Sequence, residues 1–356
     1  MTPPKEGASG DLLRPLPVLL LFLDGVGIGP ADPEVNPFFR ARLPHLASAL
    51  GGSLPSLDDP TPSGPSGRAF PLDAALGVDG LPQSGTGQIA LFTGRNAPAL
   101  FGGHFGPWPP VRLRPLLQEE NLLVRACHGG VRVTFANAYP AGWPGTLPSR
   151  RHAVPPLAAL SAGVLSRDLE SLLRGEAVAS EILNDGWKRY TGRTDLPDVT
   201  AEGAGRTLAG IAREAALTLF AHYHTDHAGH RGGMEGSVRA LERVDAFLGG
   251  LLEASGPSWI VGCSDHGNIE DVRRGHTRNP ALGFVIRAGG PEAGAMERGT
   301  AAAGQGVAGA REDPMAGVHD LMGVTPALLR ALGVGKTSGQ GQAHLPPTRS
   351  WPSPAR

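Results

Sequence analysis

The sequence predicts a three-layer α/β sandwich with a mainly parallel sheet, interrupted by a smaller inserted α+β cap. Three observations predict it. A continuous apolar run at 18–23 and apolar-rich runs of strand length at 217–223 and 259–263 give the pattern of strands buried on both faces. Between the last two, residues 237–253 place Val238, Leu241, Val244, Phe247, Leu248, Leu251 and Leu252 on one side of a helix. Strands alternating with helices imply a parallel sheet covered on both faces. Each of the three runs also leads directly into an acidic residue, Asp24, Asp226 or Asp265. In such sheets ligands bind beyond the carboxyl ends of the strands.

Taken in order, residues 1–15 form a polar, Pro-containing lead, and 18–23 (VLLLFL) runs into the loop Asp24-Gly25-Val26-Gly27-Ile28-Gly29-Pro30. Residues 54–67 read as a Ser/Pro/Gly/Asp loop. Gln83-Ser84-Gly85-Thr86-Gly87 is a turn that opens a short helix over 88–93. From 105 to 200 the texture becomes Pro-rich, with Trp108, Trp143, Trp187 and one strand at 131–135. This stretch is expected to be the separate cap, leaving 16–104 and 201–336 as a discontinuous core. Residues 284–286 supply a further strand, and 327–332 a late helix stopped by Gly333. Residues 337–356 are expected to be a disordered tail.

Composition narrows the function. The 356 residues carry 32 Lys+Arg against 33 Asp+Glu, a formal net charge of −1. That balance excludes the basic face of a nucleic-acid binder. Gly (52) and Pro (34) are abundant, yet 40% hydrophobic content indicates a loop-rich globular protein. Two cysteines, Cys127 and Cys263, make neither a disulfide scaffold nor a four-thiolate site. The apolar run at 16–23 is too short to span a membrane and closes on an acid, unlike a secretory signal. A cytoplasmic location without membrane attachment is expected. Nothing in the pattern specifies an oligomeric state.

The chemistry-bearing residues cluster at the strand ends. Asp226-His227-Ala228-Gly229-His230 sets a carboxylate and an imidazole four apart; Asp265-His266 supplies an adjacent pair, and His276 follows in Gly275-His276-Thr277-Arg278-Asn279-Pro280. With Asp24 these make three carboxylates and three imidazoles. Mixed Asp/His sets suit Zn²⁺ or Mn²⁺ better than Mg²⁺. Six ligands are too many for one catalytic ion and fit two. Ser84, before a short helix whose free N–H groups favour an anion, is the natural nucleophile. Thr86 competes with it.

The ordered set VLLLFLDGVG, QSGTGQIALFTGR, DHAGH, SDHGN and GHTRNP, with the late segment His319-Asp320-Leu321-Met322-Gly323-Val324-Thr325-Pro326, resembles the alkaline phosphatase superfamily. The similarity is to the branch of cofactor-independent phosphoglycerate mutase and phosphopentomutase, over about residues 16–105 and 205–335. The resemblance implies an alkaline-phosphatase-like core with Asp226, His230 and His276 on one metal. Asp24, Asp265 and His266 would hold the other, together with the Ser84 oxygen. Aligning Gly87-Gln88-Ile89 with the family pattern puts Gln88 where His is usual. Residues 105–200 would be the substrate-choosing cap, far shorter than that of the bacterial phosphoglycerate mutases.

The expected activity is two-metal phosphoryl transfer on a small phosphate ester through phospho-Ser84, in a phosphomutase or a phosphomonoesterase. A phosphodiesterase or sulfuryl hydrolase on the same scaffold is the alternative, although the C/S-x-P-x-R motif of a sulfatase is missing at Ser84. A metal-binding module without catalysis is the alternative of another class, disfavoured because every ligand position and a nucleophile are present. Arg150-Arg151 are the first candidates to clamp substrate, Arg being suited to bidentate anion contacts. His222, His224 and His227 read as packing residues, and Asn268 as an ordinary turn residue with scope to orient its loop.

Overall fold

The computed structural model describes residues 17–145, 151–254, 258–288 and 312–335. The expected lead and tail, and Arg150, lie outside them. Among the described residues one sheet contains β1 (Val18–Leu23), β2 (Gly67–Leu72), β3 (Val133–Phe135), β4 (Leu217–His222), β5 (Ser258–Cys263) and β6 (Ala281–Ala288). Their order is β2-β6-β5-β1-β4-β3. β3, β4, β1 and β5 run parallel, whereas β6 is antiparallel to both β5 and β2. The predicted α/β sandwich with a mainly parallel sheet is observed.

Every residue of β1 is buried, and strand alternation divides them between two cores. Val18, Leu20 and Phe22 face the layer of helices Ser84–Thr93 and Leu321–Ala331, with Leu91, Val324 and Leu328 among their neighbours in one core. Leu19, Leu21 and Leu23 share the other core with Leu208 and Phe247 of helices Ala201–Ala212 and Gly233–Ala254. Two apolar faces explain why the strand reads VLLLFL without alternation.

β1 lies between β4 and β5, with Leu23 opposite His222 and Phe22 opposite Cys263. The three strands therefore end level, and the segments that follow them start side by side. Asp24, Asp226 and Asp265-His266 are delivered to one edge of the sheet for this reason.

Within 105–145 and 151–200, the stretch expected to be a separate cap, several described segments join the main sheet and core. β3 pairs with β4 as the edge of the main sheet. Leu117, Leu122, Leu123, Val154 and Leu157, from the helices around it, belong to the same core as Leu20 and Phe22. A three-residue strand carries too little local pattern to announce its partner; the pairing is decided by a distant strand. Of the expected cap there remains a small apolar cluster of Ala138, Leu172, Ala177, Ala179 and Leu196 packed on Trp187.

Two further elements depart from expectation. β2 begins where a loop was predicted to end and contains Pro71, which an edge strand tolerates. The late helix starts at Leu321 because the Asp320 side chain caps it, accepting from Gly323 N at 2.8 Å, and Pro326 is carried inside it. No helix among the described residues is long and apolar enough to cross a membrane.

Candidate metal centre

The turn after β1 depends on Gly25. Its φ is +68°, and a Cβ there would lie 2.5 Å from Asp226 Oδ1. Its N–H donates to Asp265 Oδ1 at 3.2 Å, so the β1 loop is clamped between the two other acidic loops. A Gly25→Ala variant is expected to lose about 1–3 kcal/mol through the left-handed backbone and the clash. Urea denaturation of the metal-free protein checks this. An unchanged midpoint would mean that the loop yields freely.

Helix His224–Arg231 places Asp226 and His230 one turn apart, with His230 Nε2 3.5 Å from Asp226 Oδ1. His276 Nε2 approaches the same oxygen at 3.6 Å, while its Nδ1 faces the Pro82 carbonyl at 3.0 Å. His266 is fully buried. Its Nε2 lies 3.5 Å from Asp24 Oδ1, 3.6 Å from Asp265 Oδ2 and 3.0 Å from Ser84 Oγ. The His266 and His276 rings are 4.0 Å apart, and those of His230 and His276 4.9 Å.

Two groups of ligand-type atoms result, each with all atoms within 4.8 Å of one another: Asp24, Asp265 and His266, and Asp226, His266 and His276. All six residues named from the sequence thus converge. His266 stands in both groups, and His230, its side chain 42% exposed, reaches Asp226 from the rim.

The electrostatics call for a cation. Asp24 Oδ1 is buried with no hydrogen-bond partner. Burial and the neighbouring Asp265 push the Asp24 carboxyl well above its ordinary range. Burial acts the same way on Asp226, but the His276 hydrogen bond and the His266 charge outweigh it and hold that carboxyl at about 2. Burial opposes a charged His266, yet Asp265 and Asp24 together push its imidazole up to about 10. A single imidazolium balances three converging carboxylates poorly, and buried charges need partners. Divalent cations fit this donor set.

Ser84 is the first residue of helix Ser84–Thr93, next to the extended Gln83, so the positive end of the helix dipole lies beside its hydroxyl. Thr86 turns elsewhere: its Oγ1 accepts from Phe105 N at 3.1 Å. Arg151 is exposed, and no contact ties it to the cluster among the described residues. His222 is buried with its Nδ1 at 2.7 Å from Ser180 O, and its pKa falls to about 3 through burial. His224 and His227 stack on each other at 5.8 Å.

Three residues of the site were missed in the sequence. Gln88 Nε2 donates to Asp24 Oδ2 at 3.2 Å and to Asp265 Oδ2 at 3.0 Å, joining the two carboxylates. Asn268, read as a turn residue, donates to Asp226 Oδ1 at 2.7 Å and to its carbonyl at 3.0 Å. Glu270 is fully buried and accepts from Gly27 N (2.9 Å), Asn268 N (2.7 Å), Asn279 Nδ2 (3.1 Å) and the Thr277 hydroxyl. It fastens the β1 loop to the β5 loop. Gln88 was visible as a departure from the family pattern; Glu270 carried no signal beyond its place after SDHGN.

Residues 194–299 match the family model of the Metalloenzyme superfamily. A 2,3-bisphosphoglycerate-independent phosphoglycerate mutase of Synechococcus is 37% identical over 104 residues, covering 26% of this chain and 19% of that protein. The enzyme of the same name from Pyrobaculum arsenaticum is 32% identical over 119 residues, covering 30% of this chain and 28% of that protein. The chain thus spans between about a fifth and about three tenths of the length of these relatives. The PH0037 protein of Pyrococcus horikoshii shares the fold, with a TM-score of 0.50 over 92% of this chain and 100% of that one at 12% identity. Over the matched segment the chain is similar to phosphoglycerate mutases, in keeping with the phosphomutase-like resemblance of the sequence.

Proposed function

We propose that this chain is a divalent-metal-dependent phosphoryl-transfer enzyme acting on a small phosphate ester, with Ser84 as nucleophile. The observation that carries the reading is the Ser84 hydroxyl 3.0 Å from His266 Nε2, at the residue common to both ligand groups. Asp226, His230 and His276 would hold one ion; Asp24, Asp265 and His266 would hold the other. Two divalent ions, Mn²⁺ or Zn²⁺, would supply the charge that makes a serine hydroxyl nucleophilic and stabilises the transferring phosphoryl oxygens.

The chain's own groups do the rest. Gln88 holds Asp24 and Asp265 together from below, and Asn268 fixes Asp226. Ser84 Oγ attacks phosphorus in line; its bond to phosphorus forms as the ester bond breaks, giving phospho-Ser84 and the free alcohol. The N-terminus of helix Ser84–Thr93 favours the negative charge that builds beside it. Thr86, with its hydroxyl taken up by Phe105 N–H, is disfavoured as the nucleophile. Attack by water on phospho-Ser84 makes a phosphatase. Attack by another hydroxyl of the retained alcohol makes a phosphomutase. The short matches to phosphoglycerate mutases and the Asp/His donor set support this reading.

Protein loaded with Mn²⁺ or with Zn²⁺ should be offered pentose phosphates, phosphoglycerates and nucleotides, with phosphorus NMR as the readout. Free phosphate is expected for a hydrolase, and an isomerised ester without phosphate release for a mutase. Inertness of every ester under both metals would overturn the proposal.

A further inference from the structure

Building on the phosphoryl-transfer reading, we propose that the groove beside His276 receives the leaving group of the ester and recognises a second oxyanion on it, a carboxylate or a further phosphate. The groove encloses about 630 Å³, within the size range of small-molecule sites. His276 is one of its walls, and the same ring faces Asp226 with Nε2. Leu81 lines it too, three residues before Ser84, while the intervening Pro82 carbonyl meets His276 Nδ1 at 3.0 Å. The segment 81–84 therefore forms part of the groove at one end and carries the nucleophile at the other.

The lining of the groove is mixed in chemistry. Leu57 and Leu81 line it and are 47% and 45% exposed. Arg273, Arg274 and Arg278 line it too, with one carboxylate, Asp271. Asp271 is held in a two-pronged pair by Arg273, both contacts at 2.8 Å, and lies 3.6 Å from Arg274 Nε. Arg278 has no ion-pair partner among the described residues. Three guanidiniums against one carboxylate leave two positive charges facing the space beside the ligand cluster, and guanidinium forks suit planar oxyanions.

The test compares phenyl phosphate with para-carboxyphenyl phosphate on the Mn²⁺-loaded full chain. The wild type is expected to prefer the carboxylated ester in kcat/KM, chiefly through KM, and to lose that preference as salt screens it. Arg278→Gln and Arg274→Gln should each lower the ratio of the two kcat/KM values about tenfold, the loss of one charge-assisted hydrogen bond. Arg239→Gln, on the exposed face of helix Gly233–Ala254, should leave the ratio alone. Turnover of both esters with a wild-type ratio near one, or a ratio unmoved in both groove variants, overturns the groove assignment and leaves phosphoryl transfer standing. Turnover of neither ester, together with inertness of the pentose phosphates, phosphoglycerates and nucleotides under both metals, removes the phosphoryl-transfer reading, and the groove assignment with it.

Discussion

A Ser84→Ala variant is expected to lose phosphate-ester turnover by about a thousandfold or more, while its metal content and fold stay near wild type. Ser84 is 5% exposed, and the hydrogen bond its Oγ makes is to His266 Nε2. Removing that oxygen leaves the carboxylates, the imidazoles and the Gln88 bridge untouched, so the loss should appear in the chemical step. Acid quenching during turnover, followed by mass spectrometry of the tryptic peptide, should find phosphate on Ser84 in the wild type and on no residue in the variant. Thr86 is the internal control. Its hydroxyl accepts from Phe105 N in a part-buried bond, so Thr86→Val should lower stability by about 1 kcal/mol, more than it lowers turnover. Full activity in Ser84→Ala would transfer the nucleophile to Thr86.

His266→Ala should have the broadest effect on the metal centre. The other five ligands belong to one half of the site, whereas His266 Nε2 lies within 3.6 Å of both Asp24 and Asp265 and its atoms also complete the group with Asp226 and His276. Loss of an outer partner of a metal ligand costs roughly 10–100-fold in affinity; loss of this ligand should cost more for the ion it would hold with Asp24 and Asp265. After dialysis, elemental analysis is expected to find far fewer ions per chain than in the wild type, with turnover lowered by several orders of magnitude. His230→Ala, at the exposed rim, should weaken one ion alone. His266→Ala leaves three carboxylates without their central imidazole, so far-UV circular dichroism is needed beside the metal count. A folded His266→Ala protein that retains two ions would refute His266 as a metal ligand.

Much of the site was legible before any coordinates. Asp24, Asp226 and Asp265 could be recognised because each follows a strand-length run rich in apolar residues, and both the run and the acid lie within a dozen consecutive residues. Their convergence followed from a parallel sheet, whose strands all present their carboxyl ends to the same edge. The helix Gly233–Ala254 was likewise written in its own period.

Tertiary structure decided whatever depends on residues far apart in the chain. The composition of 105–200 suggested a separate cap, but β3 finds its partner in β4, more than eighty residues later, and its helices fill the main core. Gln88 lies between Asp24 and Asp265, and Glu270 reaches back to Gly27. Arg273, Arg274 and Arg278 line one groove with Leu57 and Leu81, which no local pattern marks. Local periodicity records which face of an element is apolar, and so determines the strands and the acids at their ends. Which side chains meet beyond those ends depends on register, loop path and hydrogen bonds across hundreds of residues, and folding alone brings them together.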